Sequence, residues 1–138
     1  MTTKRAALVG VALALGLTAC AHHPERMSVR KPDPKFTTVH VVDDRYLVVD
    51  QEPIRVRRND KNFPITWQVA DDSAAEFPDD GVVIANPAGE FDCSVHPNRK
   101  RFTCKFRNSV PGQKYKYTIQ LRETGKVLEP LDPIILND

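Results

Sequence analysis

The sequence predicts an all-β fold, a single two-layer sandwich of about eight short antiparallel strands. Three observations carry this. From Phe36 onward apolar residues recur with a period of two, the mark of strands with one buried face. Clusters of Asp, Asn, Gly and Pro separate the runs at short intervals, as in sandwiches. Eleven prolines and six glycines stand in a chain of 138 residues, and past the N-terminal run no long Ala- or Leu-rich stretch occurs. A helical bundle is thereby excluded, and the length suffices for one core.

The elements follow in order. Val39 and Val41 alternate with Thr38 and His40, and Asp43-Asp44 supplies a turn before a strand at 46–49. Ile54 and Val56 alternate with Arg55 and Arg57, until Asn59-Asp60 and Asn62 break the pattern. Ile65, Trp67 and Val69 alternate with Thr66 and Gln68, a half-buried strand with a large anchor. A loop containing Asp71, Asp72, Asp79 and Asp80 ends at Gly81, before a short strand at 82–85 and a turn at Pro87-Ala88-Gly89. Tyr115, Tyr117, Ile119 and Leu121 alternate with Lys114, Lys116, Thr118 and Gln120, the cleanest strand in the chain. Glu123-Thr124-Gly125 turns the chain again, and residues 134–136 form a last strand.

One hairpin is predicted pair by pair. If Cys93 faces Cys104, then Phe91 faces Phe106 and Val95 faces Phe102, all on one buried face. The other face sets Asp92 against Lys105, Ser94 against Thr103 and His96 against Arg101. Apolar residues meet apolar ones and acid meets base, which fixes the register.

The N-terminus has a different character. Lys4 and Arg5 precede an apolar run at 6–19, broken only by Thr18 and too short to cross a membrane. This is the layout of a secretory leader. Its ending, Leu17-Thr18-Ala19-Cys20, resembles the lipobox of bacterial lipoproteins. The resemblance implies removal of residues 1–19 and acylation of Cys20. Cys93 and Cys104 then remain as an even pair, expected to bridge in an oxidising compartment. Residues 20–34 read as a lipidated cysteine and Pro-rich tether, and residues 35–138 as the sandwich domain. Without the leader the chain carries 18 Lys+Arg against 18 Asp+Glu, since Lys4 and Arg5 leave and no acid does. That balance gives no electrostatic case for nucleic acid.

The candidate sites are few. Asp92, Ser94 and His96 carry hydrolase residue types, but neighbours at i and i+2 on a strand stand about 7 Å apart, too far for proton transfer. The Asp71–Asp80 loop lacks the ligand spacing of a calcium loop. His40, His96 and Cys104 have no partner Met for a copper site, and His22-His23 alone supplies half a zinc shell. No metal or cofactor is expected. His96, Arg99, Lys100 and Arg101 make the hairpin tip basic, with Arg55, Arg57 and Arg58 as neighbours that extend it. The tip is the candidate partner-binding surface, and none of its side chains is expected to serve the core.

The first twenty residues resemble small bacterial envelope lipoproteins. Ala21 rather than Asp after the cysteine implies the outer membrane. The domain resembles the immunoglobulin-like sandwiches of uncharacterised proteobacterial proteins, through Trp67, Tyr115-Lys116-Tyr117 and Leu131-Asp132-Pro133-Ile134. It departs from antibody domains because no cysteine precedes Trp67 in the domain. The expected function is a non-enzymatic, membrane-anchored binding or assembly module acting on an envelope protein or glycan through a strand edge or the basic hairpin. An inhibitor lipoprotein, for instance of a cell-wall hydrolase, is the alternative, and an envelope hydrolase the third.

Overall fold

The computed structural model describes Asp33 and residues 35–138. The expected leader, Cys20 and the His22-His23 pair lie outside the described residues. Nine strands form: β1 (Phe36–Val42), β2 (Tyr46–Val49), β3 (Ile54–Val56), β4 (Phe63–Val69), β5 (Val82–Ile84), β6 (Phe91–Val95), β7 (Arg101–Phe106), β8 (Lys114–Ile119) and β9 (Ile134–Asn137). They make a five-stranded sheet, β2-β1-β4-β7-β6, and a four-stranded sheet, β3-β9-β8-β5. The fold is the all-β sandwich that the alternation predicts, with one correction. Two pairings, β1 with β4 and β3 with β9, are parallel rather than antiparallel. The chain leaves the first sheet after β2, crosses to the second as β3, and returns beside β1 in the same direction. Alternation reports which face is buried but not which neighbour a strand takes.

Between the sheets lies one core. Phe63, Ile65, Trp67 and Val69 line the inner face of β4, and Tyr115, Tyr117 and Ile119 line that of β8. The Trp67 Nε1–H donates to Tyr117 Oη at 3.3 Å, with the rings 5.2 Å apart, so each polar tip is satisfied inside the apolar layer. Burial pushes the Tyr117 phenol well above the usual tyrosine range. On the outer face, Thr66 and Thr103 share a hydroxyl hydrogen bond of 3.0 Å across β4 and β7.

The β6–β7 hairpin has the expected register, with Phe91 opposite Phe106, Cys93 opposite Cys104 and Val95 opposite Phe102. The disulfide joins Cys93 to Cys104 across a Cα separation of 4.0 Å. A bridge between residues 11 apart in sequence contributes about 3 kcal/mol by chain entropy. The expected burial is only partly met. Cys104, Phe102 and Phe106 are buried, Phe91 and Val95 half-buried, and Cys93 exposed. The reason is position: β6 is the last strand of the wider sheet, and the opposing sheet has one strand fewer. Phe91 is nevertheless held, stacked on Phe106 at 4.5 Å and edge-on to Tyr115 at 4.9 Å.

β1, β4 and the hairpin fix two ends of the sandwich. One end gathers the β1–β2 turn, residues 70–81, the hairpin tip and residues 120–130; backbone bonds between Glu76 and Arg122 and from Glu129 N to Arg45 O tie these together. The other end gathers Lys35, residues 57–62, residues 107–113 and the C-terminus, through Arg58 N to Asp138 O and Asn62 N to Arg107 O.

Candidate binding surfaces

The hairpin tip is not the free basic surface that the residue types suggest. Its turn is built by Arg99 N donating to His96 O at 2.8 Å, by Lys100 N donating to Asn98 Oδ1 at 3.0 Å, and by a left-handed backbone at Arg99. From that turn Arg99 Nη1 reaches Asp79 Oδ1 at 2.9 Å and Phe77 O at 3.2 Å. Lys100 Nζ donates to Ser73 O at 3.0 Å and to Ala75 O at 2.7 Å. Arg99 and Lys100 are therefore half-buried ties to the 71–81 segment. The expectation that none of the tip serves the core fails for these two. His96 and Arg101 stay exposed, His96 bonded to Asn98 and Arg101 Nε donating to Gln68 Oε1 at 3.0 Å.

The cause lies in the acidic segment, whose spacing hides two core residues. Ala75 and Phe77 are fully buried, and Phe77 packs on Phe102 at 5.7 Å. A Cβ at Gly81 would sit 2.8 Å from the Phe77 ring, so glycine is required there for close approach. With its apolar residues folded inward, the segment presents its carbonyls to Lys100 and its Asp79 to Arg99. The apolar pair among four Asp was the signal available in the sequence.

The other candidates stay apart. Asp92 and Ser94 lie on the exposed side of β6, opposite Lys105 and Thr103, while His96 turns to Asn98. His40 is on β1, with β4 and β7 between it and β6. Among the described residues no three His, Cys, Asp or Glu side chains converge as a metal site. Arg55, Arg57 and Arg58 do not extend the hairpin tip; they lie at the opposite end.

What sequence reasoning missed is an apolar strip on the outer face of β1 and β2. Phe36, Val42, Tyr46 and Val48 are large side chains left exposed there, with His40 opposite Val48 and Val42 opposite Tyr46. The Arg45 guanidinium lies over the Tyr46 ring at 5.5 Å and pairs with Glu129, bounding one end of the strip. β2 is also the last strand of its sheet, its outer edge bridged to Glu129 at Tyr46. Because Asp50 N donates to Thr38 O, the antiparallel alternation turns the main-chain groups of Leu47 and Val49 away from β1. The strip was legible in principle, since Val41-Val42 and Leu47-Val48-Val49 are apolar on both faces.

At the end of the sandwich where β1 begins, Lys35, Arg55, Arg57, Asp60, Lys61 and Phe63 line an open depression of about 490 Å³. Asn108 shapes its rim. Fully buried and left-handed at φ 56°, it donates through Nδ2 to Arg57 O at 2.8 Å and Asp60 O at 3.0 Å. Beside it the buried Glu90 carboxylate accepts from Ser109 N at 2.7 Å and from the Ser109 hydroxyl. Those bonds hold the Glu90 pKa below the usual carboxylate value, with lesser help from Arg107 and Lys61.

Compared with known proteins, the chain matches no family model, no curated protein and no solved structure. Fold and surface together define a disulfide-clamped all-β sandwich with an exposed apolar sheet face and two ends of unlike charge.

Proposed function

We propose that this protein is a non-enzymatic binding or assembly module of the bacterial cell envelope, anchored to the outer membrane through acylated Cys20. The observation that supports a binding role best is the strip of Phe36, Val42, Tyr46 and Val48 beside the outer edge of β2. Large apolar side chains aligned on a rigid sheet lose little freedom when covered, so their burial is available for recognition. Of the two surfaces expected from sequence, the strand edge is favoured over the hairpin tip, because Arg99 and Lys100 already have partners. The strip suits an envelope protein that lays an extended, apolar segment along β2, where beyond the Tyr46–Glu129 bridge Val49 offers main-chain groups for pairing.

The test is site-specific photo-crosslinking in intact envelopes, with the full chain expressed in a bacterium. A photoreactive residue at His40, in the strip, should capture one partner, whereas one at Lys116 on the other sheet should not. Val48→Lys in the His40 background should lower the yield at least about tenfold, since covering one such side chain is worth about 1.5–3 kcal/mol. Equal yield from both positions, or no effect of Val48→Lys, refutes docking on the strip. Mass spectrometry should show Cys20 acylated and the leader removed, and Cys20→Ser should release the protein from the membrane. An unmodified Cys20 refutes the anchor.

A further inference from the structure

The two ends of the sandwich differ in charge, and they differ more in how that charge is neutralised. The end holding the hairpin tip carries Asp43, Asp44, Asp71, Asp72, Asp79 and Asp80, together with Glu76, Glu123 and Glu129. Four of its cations are paired with carboxylates: Arg45 with Glu129, Arg99 with Asp79, Arg122 with Glu76, and Lys126 with both Asp44 and Glu123. The opposite end carries Lys35, Arg57, Arg58, Lys61 and Arg107, all exposed, against the acids Asp33 and Asp60. Among the described residues none of these five has a carboxylate within salt-bridge distance; at this end only Arg55 does, with Asp138 at 2.7 Å. Glu90 is buried and bonded to Ser109, and its charge offsets part of that of Arg107 and Lys61.

We infer that this basic end docks on the anionic phosphates of lipid headgroups. Three features converge on that occupant. Exposed cations in excess of the local acids complement a sheet of negative charge, and each is worth about a factor of five in partitioning to an anionic leaflet. The open depression lined by Lys35, Arg55, Arg57 and Lys61, with Asp33 and Asp60 also on it, has buried Phe63 and exposed Pro64 in its wall, so one headgroup can settle among cations that outnumber the acids. Finally, the chain enters the domain here, at Asp33 and Lys35, with thirteen residues or so between it and Cys20. At about 3 Å per extended residue that segment spans at most roughly 40 Å. The acidic end, repelled by the same surface, then points away. This placement rests on the envelope reading above, and it leaves the β1–β2 strip facing sideways, open to a partner.

Co-sedimentation tests it with the full chain carrying Cys20→Ser, so that no acyl chain contributes. Binding to vesicles of phosphatidylglycerol in phosphatidylcholine should exceed binding to phosphatidylcholine alone. It should also vanish as salt rises from 0.1 to 1 M, where the Debye length falls from about 10 Å to about 3 Å. Lys35→Glu with Arg57→Glu should lower partitioning at least about twenty-fold without moving the melting temperature, because neither side chain has a partner among the described residues. A control of equal charge, Arg101→Glu with Lys116→Glu on the outer sheet faces, should lower it less than about threefold. Equal losses in the two variants would mean that net charge alone acts, and would overturn the inference. So would equal binding to neutral vesicles, or a charge-reversal effect seen only on self-association by light scattering. These vesicles hold no protein partner, so failure here leaves the His40 crosslink standing, and loss of that crosslink leaves vesicle binding standing.

Discussion

Replacing Asn108 by alanine tests whether one buried amide holds the basic end in shape. The side chain is fully buried, and its Nδ2 faces the carbonyls of Arg57 at 2.8 Å and Asp60 at 3.0 Å. Only the NH2 group of the amide can satisfy two acceptors, which settles its orientation. Asn108→Ala leaves both carbonyls without this donor, at a cost of about 1 kcal/mol each and more where water cannot enter. It also places alanine at φ 56°, where a Cβ costs about 1 kcal/mol or more. The sum is about 3 kcal/mol, which lowers the melting temperature of a domain of this size by roughly 12–24 °C. Asn108→Gly removes the same bonds but tolerates the left-handed backbone, so it should recover about 1 kcal/mol of the loss. Urea denaturation with unchanged m-values reads both differences. If Asn108→Ala unfolds within 0.5 kcal/mol of the wild type, the clip contributes nothing. If glycine is no better than alanine, the backbone part of the argument fails.

The remaining predictions are shorter. Glu90 has a lowered folded pKa, so its contribution to stability is present above the unfolded carboxylate pKa and is lost as pH falls through the folded value. Glu90→Gln should flatten that acid limb of a stability–pH curve measured by thermal melts, and an unchanged limb would assign the acid sensitivity elsewhere. Lys100→Met should cost about 2 kcal/mol by urea denaturation, because the Ser73 and Ala75 carbonyls lose a charged donor. Arg101→Ser, at an exposed side chain bonded to Gln68, should change stability by less than about 0.5 kcal/mol; equal costs would mean that Lys100 is no more a tie than Arg101.

How much of this was legible from the residues depends on what decides each feature. The sandwich and the β6–β7 register were readable because both follow from side-chain alternation and pairing between neighbours in sequence. The exposure of Cys93 was not, since it depends on how many strands the opposing sheet holds, which no local pattern states. The parallel pairing of β1 with β4 was hidden for the same reason. At the tip, residue types and turn were recognised, but the partners of Arg99 and Lys100 lie twenty or more residues away. Those contacts exist because Phe77 pulls the acidic segment onto Phe102. The apolar strip could have been suspected from Leu47-Val48-Val49, where no polar residue supplies a solvent face.

Arg99 and Arg57 show why a run of basic letters does not by itself define a surface. Each follows or precedes other cations in sequence, and each sits in a loop at one end of the sandwich. Arg99 has Asp79 and a backbone carbonyl within reach, so its charge is spent on fixing the turn. Any acidic partner there must displace those bonds and then face the carboxylates of Asp71, Asp72 and Asp80. Arg57 has its backbone fixed instead, by the amide of Asn108, while its guanidinium is left without a carboxylate partner among the described residues. Holding the main chain and leaving the charge unpaired is the arrangement that lowers the ordering cost of binding an anion. Around Arg57 the rigid part is thus neutral hydrogen bonding, and the part available to a ligand is charge. At the tip the same charge does the holding, and little is left to offer.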